Sequence, residues 1–264
     1  MNVIIESPAN PRIKQLVKLR ESPRHRKERG RFFVEGAEDL LTLARAGRTV
    51  EEVYFSCDIE KEREEHEWLD EFESKGVETI EISKQAYAKA SYRSAGHGMI
   101  GVVRSWDLGL EAHGMMGNGP VVVLDEVEKP GNLGAILRSV EAFGGEGVIL
   151  SDPTVDFFNP NVVRSSRGLM GSVPVISGSK AEVMEWLQNS GRRILATSSH
   201  AQEGFGVRED PSALAFVFGS EKWGLGEYWK KQEMEWVRIP MKGTASSLNL
   251  NVSVACLLYE HNRT

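Results

Sequence analysis

Three runs in the C-terminal half hold the residues best placed to do chemistry. The first, "DEVEKPGNLGAILRSVEAFGG", sets Asn132 beside a helix start and Arg138 farther along, above Gly131, Gly134 and Ala135. A charged group standing over a face with almost no side-chain bulk lets another molecule approach the backbone closely. The second, "FVFGSEKWGLG", puts Gly219 directly after an apolar strand and Glu221 two residues on, in a loop whose amides can face a ligand. The third, "IPMKGTASSLNLNVSVACLLYE", crowds Ser246, Ser247, Asn249, Asn251 and Ser253 around the head of a helix that is apolar almost all round from Leu248. Buried polar groups left unpaired cost roughly 1–3 kcal/mol each, so this cluster asks for partners. Plainer readings stand beside these. Asn132 suits a helix N-cap, as do Ser246 or Ser247; the glycine loop suits a turn into a helix, and Arg138 a solvated surface position.

The elements that must position these runs are legible from their periods. "VVVLDEV", "GVILSD", "RILATSS", "LAFVFGSE" and "WVRIPM" are apolar runs of strand length, with helix-period segments such as "NLGAILRSVEAFG" and "AEVMEWLQNSG" between several of them. That alternation predicts an α/β domain over residues 120–264, with a largely parallel sheet covered by helices on both faces. Leu133, Ile136, Leu137, Val140 and Phe143 mark the buried stripe of its first helix. Ligands of such sheets sit at the carboxyl ends of the strands, where all three runs fall. A strand, glycine turn and helix followed by a strand ending in Asp152 outlines a dinucleotide site, but Gly131 and Gly134 do not make its glycine fingerprint.

Residues 1–105 read as a smaller domain of mixed helix and strand, with "FFVEGAEDLLTLARAG" as strand then helix and "VEEVYFS" and "VETIEIS" as strands. The glycine-rich stretch 106–119 reads as a linker. The formal net charge of −6 argues mildly against a nucleic-acid partner but hides an asymmetry. The N-terminal segment carries Arg12, Lys14, Lys18, Arg20, Arg24, Arg26, Lys27, Arg29 and Arg31 against only Glu21 and Glu28. Ile13, Leu16, Val17 and Arg20 predict a short amphipathic helix leading into a basic loop, either a phosphate-tracking surface or a solvated helix face. Cys57 and Cys256 form no CxxC pair and have no histidine cluster nearby, so neither a disulfide framework nor a metal site is expected. No apolar run is long enough to span a membrane and no secretory signal opens the chain, which points to the cytoplasm.

Together, "DEVEKPGNLGAILRSVEAFG", "FGSEKWGL" and "IPMKGTASSLNLNVSVACLLYE" resemble, in order and spacing, the three motifs of the SpoU-type (TrmH-like) RNA ribose methyltransferases of the SPOUT class. "NPNVVRSSRGLMGSVPV" is similar to the family's stretch after the second strand. "SPANPRIKQLVKL" and "FFVEGAEDLL" are similar to the small RNA-binding domain that many members carry. The resemblance implies a deep trefoil knot, S-adenosylmethionine bound in a bent shape by the knot loops, and a homodimer with the cleft at its interface. It implies cofactor contacts at Thr197, Gly219, Ile239 and Leu248, and catalytic roles for Asn132, Arg138, Glu221, Ser247 and Asn249. It also turns the basic segment, Arg12, Lys14, Lys18, Arg24, Arg26, Lys27 and Arg29, into an RNA-holding surface.

The chemistry so implied is an in-line displacement at a sulfonium methyl, in which alignment supplies much of the rate and no metal is needed. The acceptor is a ribose 2′-hydroxyl, hence RNA, with ribosomal RNA favoured over transfer RNA by the appended domain. The hydroxyl must lose its proton. Bringing an arginine from above about 12 to near 7 costs roughly 7 kcal/mol, so two roles stay open for Arg138, as base or as a charged clamp on phosphate and developing alkoxide. A knotted RNA-binding assembly factor without catalysis is the alternative reading.

Overall fold

The computed structural model describes residues 4–56, 63–92, 98–112, 117–206 and 213–263; of 63–66 only the backbone is described. Cys57 and residues 113–116 of the expected linker lie outside them. The chain forms two compact units, Met1–Trp106 with Asp156–Ser172, and Asp107–Val155 with Val173–Thr264.

The first unit runs α1 (Pro11–Glu21), α2 (Pro23–Arg29), β1 (Arg31–Glu35), α3 (Ala37–Arg45), β2 (Val50–Phe55), α4 (Arg63–Ser74), β3 (Glu78–Glu81), α5 (Lys84–Ala90) and β4 (Met99–Arg104). Its sheet has the order β1-β4-β2-β3, antiparallel except for β2 with β3. Segment α1 is the amphipathic helix expected, with Ile13 and Leu16 on its buried face, but Leu19 completes that face while Val17 and Arg20 are only half-buried. Ile13, Leu16 and Leu19 are buried against Phe33, Tyr54, Tyr87 and Ile100. Central strand β4 carries Gly101, where a Cβ would lie 2.1 Å from a Leu40 methyl, so the bare glycine leaves room for the Leu40 side chain of α3 against the sheet.

Two expectations for the basic segment are corrected. The expected basic loop is helix α2, because Ser22 accepts from the His25 amide, Pro23 fills the first turn and Gly30 (φ 61°) supplies the left-handed stop. Arg26 does not belong to an RNA-holding surface. Its side chain is 3% exposed and paired with Asp156 at 2.6 Å. It also donates to the carbonyls of Leu19 (2.6 Å) and Arg20 (3.0 Å). A buried guanidinium must be paired or it is prohibitively costly, so this one is consumed inside the fold. The same pair explains why Asp156–Ser172, including α7 (Pro160–Ser166), groups with the first unit. Phe157 and Phe158 join Phe32 and Trp106 in an aromatic cluster, and Arg48 lies over Trp106 while donating to the Gly171 carbonyl.

The second unit runs β5 (Val121–Asp125), α6 (Pro130–Ala142), β6 (Gly147–Ser151), β7 (Val175–Gly178), α8 (Lys180–Asn189), β8 (Arg193–Thr197), β9 (Glu203–Gly204), β10 (Leu214–Phe218), α9 (Glu227–Lys230), β11 (Glu235–Arg238) and α10 (Leu250–His261). All strands are parallel in the order β7-β6-β5-β10-β8-β11-β9. The α/β class expected from the alternating runs is the one observed. Both faces are covered, as uninterrupted apolar strands require. Val121, Val123, Ala215 and Val217 face Val183, Leu187 and Trp229. On the opposite face α6 packs against α10, and Phe216 meets His261. Full burial of such side chains contributes roughly 1.5–3 kcal/mol each.

Candidate functional site

The carboxyl ends of β8, β10 and β11 open into one cleft of about 480 Å³. Thr197 ends β8, Gly219 follows β10, and Ile239 follows β11; with Leu248 from the loop before α10, all four line it. Glu221 and Ser247 line it too. Phe218, Leu225, Leu250 and Leu257 supply apolar wall, suited to an aromatic base, while Thr197 keeps acceptor capacity because its hydroxyl proton goes to the Val217 carbonyl (3.0 Å). Gly219 cannot carry a side chain. A Cβ there would lie 2.0 Å from the Gly224 carbonyl carbon and 2.2 Å from the Leu225 amide nitrogen. The glycine thus folds the loop onto itself and leaves bare backbone at the cleft wall. The volume, the apolar wall and the bare backbone fit S-adenosylmethionine, whose adenine needs the first two and whose polar groups need the last.

Next to this cleft the three motifs meet through polar side chains. Glu221 receives hydrogen bonds from the Lys129 ammonium and the Asn132 amide. Asn249 Nδ2 in turn donates to Asn132 Oδ1 at 3.4 Å. Residues 89 and 117 positions from Asn132 in the chain are thereby joined to it. Lys129 was not among the sequence candidates. Its only signal is its place directly before the proline that opens α6.

Two cap assignments are corrected. Asn132 does not cap α6. Lys129 holds the cap position without a side-chain bond and Pro130 follows it, since its missing N–H costs nothing in the first turn. Asn132 is left free to reach Glu221. Likewise neither Ser246 nor Ser247 caps α10, which starts at Leu250 with Asn249 accepting from the Asn251 amide. The polar residues ahead of it form an exposed loop, and Asn251 accepts from Ser139 of α6 at 3.0 Å. Within α6, Leu133, Ile136, Leu137 and Val140 are buried as expected, whereas Phe143 is half-buried against Tyr259. Arg138 is exposed on α6, outside the cleft lining, with no hydrogen bond or ion pair among the described residues.

The acids at the carboxyl ends of β5 and β6 serve a different end. Lys180 gathers Glu126 (2.5 Å), Asp125 (3.8 Å) and Asp152 (3.8 Å). Burial pushes the Asp125 carboxyl above its usual range, while bonding to Glu126 holds the Lys180 ammonium protonated beyond its own. Asp152 is therefore taken up in an ion cluster rather than left to meet a ribose.

A sequence model of the SpoU rRNA Methylase family matches residues 119–259, and one of the MRM3-like substrate binding domain matches residues 10–101. A 23S rRNA (adenosine(1067)-2'-O)-methyltransferase of Streptomyces azureus is 35% identical over 146 residues, 54% of each chain, so the match spans about half the length of that relative. A solved RNA 2'-O ribose methyltransferase is 34% identical, with a TM-score of 0.85 over 99% of this chain and 98% of that one. The SpoU methyltransferase AviRb of Streptomyces viridochromogenes, solved in complex with the cofactor AdoMet, is 26% identical, with a TM-score of 0.82 over 96% of this chain and 97% of its own.

Proposed function

The chain belongs to the SpoU rRNA Methylase family, and from that premise we propose that it transfers a methyl group from S-adenosylmethionine to a ribose 2′-hydroxyl of ribosomal RNA, in the cytoplasm. The observation that carries this reading is the meeting of Asn132, Glu221 and Asn249, from three distant runs, beside a cleft fitted to the cofactor. Thr197, Gly219, Ile239 and Leu248 would hold S-adenosylmethionine, which supplies an electrophilic methyl. Glu221 orients the Asn132 amide, and Asn249 fixes its carbonyl end, so a ribose would meet a polar edge already in place rather than one needing reorganisation.

The active form is a homodimer. Val252 (43% exposed) and Tyr259 (55%) stand seven residues apart on α10 with Cys256 half-buried between them, an apolar stripe on a helix that packs against α6. A second copy covering that stripe would also draw the exposed Arg138 of α6 to the interface. The chain after β11 would be the segment threaded in the family's knot.

RNA would be held through Lys14, Lys18, Lys27 and Arg29, which are exposed and outside any ion pair among the described residues. Arg12 and Arg24 contribute less, since each already faces a glutamate, Glu78 and Glu28 respectively. Replacing the four with alanine is expected to weaken RNA binding and to lower its salt slope by about 3, at roughly 0.7 per phosphate contact. Cofactor binding should not change. An unaltered slope in filter-binding titrations would remove these residues from the RNA surface. Point replacements are the right probe because deleting the segment would also remove the core residues Ile13, Leu16 and Leu19.

The function is tested by transfer of labelled methyl from S-adenosylmethionine to RNA from cells lacking the protein. Label in ribosomal RNA is the expected result. Label in transfer RNA alone would reassign the substrate, and a protein that neither binds S-adenosylmethionine nor labels any RNA or ribosomal particle would favour a non-catalytic assembly factor.

A further inference from the structure

We propose that Trp223 is a stacking platform for an unpaired base of the RNA, a role that rests on the RNA-methylating function above. Trp223 is 77% exposed, the most exposed large apolar side chain among the described residues, and it lines the mouth of the cleft two positions after Glu221. A lone exposed apolar residue needs no explanation in itself. Three features set this one apart.

The first is rigidity. Its amide donates to Ser220 Oγ at 3.2 Å, and the Gly224 amide donates to the Ser220 carbonyl at 2.9 Å. Gly224 takes the left-handed conformation (φ 67°) that closes this turn, and Ser220, Leu225 and Trp229 anchor it from the buried side. The indole is thus carried on a fixed turn, which lowers the ordering cost of binding. The second is the neighbouring charge. Lys222 Nζ lies over one face of the ring, 4.5 Å from its centroid, so the cation covers that face and a base would stack on the opposite one. That pairing suits a nucleotide, with the base on the indole and the phosphate near the ammonium. The third is position. Glu221, whose carboxylate holds Asn132, and Trp223 line the same cleft, so a nucleotide from a single-stranded loop whose 2′-hydroxyl is brought to the Asn132–Glu221 edge has an open indole beside it on which its unstacked base can rest.

The test compares the full-length protein with Trp223→Ala and Trp223→Phe. Three quantities are measured: affinity for a single-stranded 16-nucleotide oligouridylate, affinity for S-adenosylmethionine, and steady-state transfer to ribosomal RNA. Trp223→Ala is expected to weaken oligouridylate binding roughly tenfold or more and to raise KM for ribosomal RNA by a similar factor. Its cofactor affinity and assembly state should match the parent, and Trp223→Phe should keep most of the affinity. An oligomer of abasic ribose phosphate should bind parent and Trp223→Ala alike. Equal oligouridylate binding by parent and Trp223→Ala would overturn the proposal. So would a loss of cofactor affinity or of the dimer in Trp223→Ala, since either would place the indole against the cofactor or a second copy. Should the parent methylate no RNA, the function fails on its own, and the oligouridylate and abasic comparison still decides the stacking role.

Discussion

Gly219→Ala is expected to abolish S-adenosylmethionine binding and to lower the stability of the C-terminal unit by about 2–3 kcal/mol. The added methyl would meet the Gly224 carbonyl carbon, the Leu225 nitrogen and the Gly224 oxygen at 2.0, 2.2 and 2.3 Å. Those are backbone atoms, so no rotamer change relieves the clash, and overpacking of this kind costs at least the usual 1–3 kcal/mol. The loop must then move away from β10, taking Glu221 from Asn132 and reshaping the wall between Gly219 and Leu225. Gly226→Ala is the matched control. No atom lies within 4 Å of its Cβ position, and its φ of −73° suits any residue. Calorimetric titration with the cofactor and thermal unfolding distinguish the two. Cofactor binding by Gly219→Ala at parental affinity would detach this loop from the cofactor site.

The second large effect is expected at Arg138. Arg138→Ala should reduce methyl transfer by on the order of a thousandfold, the scale for losing one group that stabilises developing negative charge. Stability and cofactor affinity should stay at parental values, because the side chain is exposed and lies outside the cleft lining. Arg138→Lys separates two forms of the charged-clamp role. A point charge suffices for electrostatic stabilisation and would retain part of the activity, whereas a two-pronged grip on phosphate would be lost almost entirely. A lysine variant as active as the parent would contradict both forms. Single-turnover rates at saturating cofactor give the comparison directly.

How much of this was legible depends on how local each cause is. The parallel strands and the helix stripe of Leu133, Ile136, Leu137 and Val140 follow from periodicity, whereas Gly219, directly after an apolar strand, reads locally as a turn into a helix as well as a ligand-facing loop. Features set by distant partners were not legible. Arg26 looks in sequence like any other residue of a basic run, and only Asp156, 130 positions away, makes it a core residue. Asn132 has the type and place of a cap, yet Pro130 had already set the helix start and Glu221 supplied the partner. The serines before α10 are good caps in isolation, but the helix begins at the asparagine that follows them. Lys129 carries no local mark of its bond to Glu221.

The measurement closest to the central claim is the position of the transferred methyl. Ribosomal RNA labelled by the parent protein from S-adenosylmethionine is hydrolysed in alkali and the products separated. A methyl on the 2′-oxygen blocks that oxygen from attacking the adjacent phosphodiester, so label in an alkali-resistant dinucleotide is expected, and its absence with Arg138→Ala. Label released in mononucleotides would place the methyl on a base and contradict the account.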